Sequence, residues 1–115
     1  NIKKTKPDKL KELEFTILQD GDVPEKLMES INKKKSQPFK ITYTEEDYLY
    51  IVVGYGEKPT GGYSISVDEF FLTENAIYVD TNLIGPSQEE FVSNAVTYPY
   101  VVIKTPFTDK RVLFD

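Results

Sequence analysis

The chain has 115 residues, enough to bury a real core, and reads as one domain spanning 1–115. It contains no cysteine and no histidine, which removes disulfides, thiol chemistry, the commonest general base and the commonest metal ligand together. Its net charge of −5 is uneven: residues 1–40 hold ten lysines against seven acids, a net of +3, while residues 41–115 hold four Lys or Arg against twelve acids, a net of −8. That balance excludes a nucleic-acid partner, whose phosphates the acidic part would repel.

In chain order, residues 1–9 form a polar tether that opens on Asn1 rather than methionine, as expected of a processed product whose leader is missing. Leu13, Phe15 and Ile17 alternate with Glu14, Thr16 and Leu18, the period of a strand, and Asp20-Gly21-Asp22 ends it. Asp22 and Glu25 have capping-box spacing, with Pro24 where a first helical turn tolerates it. Val23, Leu27, Met28 and Ile31 then share one face, so an amphipathic helix is expected over 23–34, packed on a sheet and closed by Lys33, Lys34 and Lys35. Phe39, Ile41 and Tyr43 alternate with Lys40, Thr42 and Thr44. After Glu45-Glu46-Asp47, the run Tyr48-Leu49-Tyr50-Ile51-Val52-Val53 is almost wholly apolar. The pair reads as a hairpin whose second strand is central and buried on both faces.

Four glycines then fall within nine residues, Gly54, Gly56, Gly61 and Gly62, around Pro59. Lys58-Pro59-Thr60-Gly61 fits a turn in which proline presets φ and Gly61 supplies the positive φ, with Gly62 as a bulge before Tyr63. Strands follow over 63–73 and 76–81, joined by a tight turn at Glu74-Asn75. After the irregular stretch from Leu83 to Glu90, Tyr98–Lys104 forms another strand, and Arg111–Phe114 closes the chain as an edge. Eight tyrosines, seven phenylalanines and the valine and isoleucine runs favour strands. The expected fold is mainly β with one short helix, an antiparallel β-sandwich or partly closed barrel of about seven to eight strands.

The candidate chemistry is sparse. Gly54-Tyr55-Gly56 resembles the opening of a dinucleotide fingerprint, but Pro59 stands at the third glycine position and a strand follows where a helix is required. Asp68 and Glu69 are adjacent, so on a regular strand they face opposite sides and do not act as a pair. A dyad of Lys58 with Ser64 or Ser66 would need a desolvated lysine, and Lys58 lies in a loop. Asp20-Gly21-Asp22 and Glu45-Glu46-Asp47 lack the alternating ligands of a calcium loop. No catalytic residue, no cofactor and no metal site is therefore expected, and no apolar run approaches the roughly 20 residues of a membrane helix.

The glycine loop Gly54–Tyr63, followed by Tyr98-Pro99-Tyr100-Val101-Val102-Ile103-Lys104 and Val112-Leu113-Phe114, resembles the C-terminal domain of the PrcB family of protease complex subunits, over about residues 48–115. The resemblance implies a non-enzymatic binding or assembly module of the bacterial envelope or a secreted protein, lipid-anchored through a leader, with a protein partner such as a protease. A weaker similarity links Pro59-Thr60-Gly61-Gly62-Tyr63 to the loop of chagasin-type cysteine protease inhibitors. This chain carries Lys58 where those have asparagine, and Tyr98-Pro99-Tyr100 where an Arg-Pro-Trp-like segment is wanted. Partner contacts are expected at Tyr55, Lys58, Pro59, Thr60, Gly61, Gly62, Tyr63, Tyr98, Pro99 and Tyr100, because tyrosine brings large contact area at low entropic cost. The other readings are a protease inhibitor acting through the same loop and a structural spacer with no specific ligand.

Overall fold

A computed structural model of the protein describes residues 7–115, so most of the expected tether lies outside the described residues. Eight strands and one helix follow in the order β1 (Lys11–Glu12), β2 (Thr16–Ile17), α1 (Glu25–Lys34), β3 (Pro38–Glu45), β4 (Tyr48–Tyr55), β5 (Ser64–Leu72), β6 (Ala76–Ile84), β7 (Tyr100–Pro106) and β8 (Arg111–Phe114). A short 3₁₀ turn at Asp20–Asp22 leads into α1. The strands make two four-stranded sheets, β2-β7-β4-β3 in the middle of the molecule and β1-β5-β6-β8 on its outer side. The architecture is the sandwich, not a closed barrel, and all strand pairs are antiparallel except β6 with β8.

Three layers result from how the apolar residues of β4 are distributed. Leu49, Ile51 and Val53 point between the sheets, where they meet Val101 and Ile103 of β7, Phe70 of β5, and Ile77 and Val79 of β6. Tyr50 and Val52 point the other way, with Val102, onto Val23, Leu27 and Ile31 from the helix side. A strand covered on both faces has no solvent side, which is why its sequence is a continuous apolar run rather than an alternating one. The helix is held by that packing. The capping box expected from Asp22 and Glu25 does not form, because Pro24 occupies the cap position and no side chain caps the helix. Asp22 is used instead in the 3₁₀ turn, where the Val23 amide donates to the Asp20 carbonyl. Tertiary burial of Leu27 and Ile31 outweighs the missing cap in a ten-residue helix.

The single strand expected over 13–18 is instead two short strands in different sheets. β1 pairs with β5 and β2 with β7, and the chain passes between the sheets at Leu13 and Glu14. Leu13 drops into the inter-sheet core, Phe15 stands edge-on to Phe70 at 5.1 Å, and Ile17 is left 51% exposed. The Thr105 hydroxyl donates to the Glu14 carbonyl at 2.8 Å, satisfying a main-chain group where ladder bonding is interrupted. β5 carries a bulge between Val67 and Glu69, so the regular alternation assumed for Asp68 and Glu69 does not hold there. Val67 and Phe70 consequently both reach the core, three residues apart. On the outer face of this sheet, Phe71 and Tyr78 stack at 4.8 Å and are almost fully buried, and the Tyr78 hydroxyl donates to Asp115 at 2.6 Å.

Candidate functional site

The glycine loop and the segment 85–100 are sewn together by main-chain bonds. Lys58 and Thr97 exchange both of their backbone hydrogen bonds at 2.8 and 2.9 Å. The Thr97 hydroxyl donates to the Thr60 carbonyl at 2.7 Å, the Gly61 amide to the Ser93 carbonyl at 2.9 Å, and the Tyr55 amide to the Pro99 carbonyl at 3.0 Å. Two segments far apart in sequence therefore act as one stiff platform at an end of the sandwich.

The glycines serve this seam. Positive φ occurs at Gly56 (80°) and Gly62 (88°), not at Gly61 as the turn pattern predicts. A Cβ on Gly62 would lie 2.5 Å from Val92 Cγ1 and 3.0 Å from Pro86 Cβ. The close approach is made by the protein's own chain.

The sequence-predicted contact residues divide. Pro59 and Gly62 are exposed, and Lys58, Thr60 and Gly61 are half-buried against the 85–97 segment. Tyr63 is half-buried beside Gly85, where an added Cβ would sit 3.4 Å from its ring. Tyr55 turns inward, its hydroxyl 2.5 Å from Thr81 Oγ1 on β6. Pro99 is half-buried, Tyr98 lies under the Lys35 ammonium at 5.4 Å, and the Tyr100 hydroxyl donates to Asp20 at 2.5 Å, so this tripeptide ties the platform to the helix layer. Sequence reasoning passed over Phe91, which is 104% exposed, and Val96, which is 48% exposed. The available signal was an apolar pair, Phe91-Val92, amid Glu, Ser and Asn in a stretch without strand periodicity.

Burial, with the bond to Asp20 and that carboxylate's charge, pushes the Tyr100 phenol well above its ordinary value of 10. Burial followed by the Asp115 bond does the same for Tyr78. A phenol whose folded pKa is raised contributes stability that is complete below about pH 10 and is lost above it, because the unfolded chain gives up the proton first. Denaturant unfolding followed from pH 8 to pH 11.5 should show stability falling above about pH 10, with a shallower fall in Tyr78→Phe; an identical alkaline slope in the two proteins would contradict this.

The Ser66 hydroxyl donates to Asp68 at 2.7 Å, so that serine is engaged by a carboxylate rather than by Lys58. Among the described residues no group of three or more His, Cys, Asp or Glu is arranged to hold a metal ion, and no helix is long and apolar enough to cross a membrane.

An uncharacterised protein of Methanocaldococcus jannaschii is 37% identical over 59 residues, which is 51% of this chain and 35% of that relative, so the chain matches about a third of its length. No solved structure matches. The PrcB C-terminal family matches residues 49–106, from β4 through β7, and so takes in the central strand, the glycine loop and the segment sewn to it: the chain belongs to the PrcB C-terminal family.

Proposed function

We propose that this is a non-enzymatic protein-binding module that helps assemble a larger complex at the cell envelope, with a protease as the class of partner. One observation carries the binding role: Phe91 stands wholly in water on a segment that backbone bonds hold in place. A large apolar side chain kept exposed on a stiff loop is what a hot-spot anchor requires, since little ordering entropy remains to be lost on docking. Pro59, on the loop bonded to this segment, and Val96 within it are exposed as well. Family membership supports the association with a protease-containing assembly.

The test is site-specific cross-linking in the native envelope fraction, with a photoreactive residue at position 91. One defined protein should be labelled, and Phe91→Ser combined with Pro59→Ala should lower its capture by about tenfold, the worth of one modest hot spot. Unchanged capture in the double variant overturns the site. Micromolar inhibition of a papain-like or subtilisin-like protease that Thr60→Ala abolishes would replace assembly by inhibition.

A further inference from the structure

A small pocket opens at the platform end, where β2 meets the approach to β5 and the start of β7. Ile17, Tyr63, Ile65, Pro99, Tyr100 and Val101 line it, and its volume is about 220 Å³. Ile65 and Val101 reach it from the inter-sheet core, while Ile17 stands exposed beside them. No lining residue is charged. The nearest carboxylate, that of Asp20, is taken by the Tyr100 hydroxyl. Such a hollow favours an apolar side chain over any ion, because an ion would give up its water there without a partner.

Phe91 belongs to the same end of the molecule. Gly62 lies against Val92, so closely that an added Cβ would come within 2.5 Å of it. One residue away from that contact, on the two segments, are Tyr63, which lines the pocket, and Phe91, which is wholly exposed. An anchor without a pocket and a pocket without an anchor therefore adjoin. Their sizes agree, since an apolar cavity of about 150 Å³ already holds a benzene ring.

We propose that the chain forms a two-fold dimer in which Phe91 of each copy fills this pocket on the other. A symmetric contact needs donor and receptor on one patch, so that each copy gives and receives the same group and the pair closes at two. The inference rests on the binding role given to Phe91 above and names a second copy as its first occupant. The protease-class partner then competes with that copy for the same ring, and the dimer keeps the anchor covered until the partner displaces it. The charges around the contact are Glu57, Glu89, Glu90 and Asp20 against Lys58 and Lys35, four acids to two lysines, a net of −2 on each facing end. Like ends repel weakly, so salt that screens them tightens the dimer.

Sedimentation equilibrium of the chain should fit monomer and dimer with a dissociation constant of about 10–100 µM, as suits a small interface, and raising the salt should tighten it by about twofold. Phe91→Ser and Ile17→Glu should each weaken it at least about tenfold with the unfolding midpoint held, because both positions are exposed. Mixing the two variants is decisive. Phe91→Ser keeps the pocket without the anchor, and Ile17→Glu keeps the anchor with the pocket blocked. Unlabelled Ile17→Glu chain added to isotope-labelled Phe91→Ser chain should shift the methyl signals of Ile65 and Val101, whereas unlabelled Phe91→Ser chain should not. If Ile17→Glu fails to fold, the wild-type chain takes its place as the anchor donor. A monomer up to millimolar concentration, assemblies longer than two, loosening by salt, an unchanged constant in Phe91→Ser or no methyl shift in the mixture overturns the dimer. Position-91 capture of another protein by a chain that stays monomeric sinks this inference alone; a dimer from which no other protein is captured sinks only the assembly reading.

Discussion

Replacing Phe70 with alanine should destabilise the protein by about 3–5 kcal/mol, the usual cost of removing a buried phenylalanine. Phe70 is 2% exposed and sits in the inter-sheet core with Ile51, Ile77 and Ile103. It also receives the edge of Phe15 at 5.1 Å, at the place where the N-terminal chain crosses from one sheet to the other. The cavity would open beside that crossing, and Leu13, whose amide donates to the Phe70 carbonyl at 3.2 Å, is anchored on the same residue. A domain of this size has about 5–15 kcal/mol in total, so the unfolding midpoint should fall by about 10–20 °C. Calorimetry or denaturant titration reads this directly. A loss below about 1 kcal/mol would mean that the sheets close over the gap and that the core is not organised around this ring.

Gly62→Ala should cost about 2–4 kcal/mol, combining the left-handed backbone penalty with the collision against Val92 and Pro86. Gly61→Ala is the matched control. Its Cβ would meet Ser93 Cβ at an ordinary 3.5 Å and its φ is not in the left-handed region, so a change within about 0.5 kcal/mol is expected. The pair separates a conformational requirement from a general intolerance of the loop. Relief of the Gly62 collision lifts the 85–97 segment, so Gly62→Ala should also weaken position-91 capture while Gly61→Ala leaves it unchanged. Equal stability of the two variants would show that the seam between the loops does not depend on this glycine.

The central strand was legible because burial on both faces leaves a local signature, an apolar run from Tyr48 to Val53. The helix was legible for the same kind of reason, since Val23, Leu27 and Ile31 recur at helical spacing. The split of residues 11–18 was not. Leu13, Phe15 and Ile17 alternate identically whether a chain stays in one sheet or crosses to the other, and the choice is made by the partners β5 and β7. The bulge at Asp68 leaves no mark either, since Val67 and Phe70 reach the core only because an extra residue is accommodated opposite β6. In the candidate site, the glycine loop and Tyr98-Pro99-Tyr100 were both marked as expected contact residues, and the structure joins them through the Tyr55 amide and the Pro99 carbonyl. The inward turn of Tyr55 and the exposure of Phe91 were not anticipated.

Residue types and their spacing were enough to specify a β-rich chain with one amphipathic helix, a central strand without a solvent face, and a loop whose glycines are needed. All of these are properties of a residue and its near neighbours: side-chain periodicity, ring volume and permitted φ. Which strand lies beside which and which glycine takes the left-handed backbone depend on contacts between residues tens of positions apart. Chain connectivity and packing settle those contacts jointly, and no local pattern encodes them.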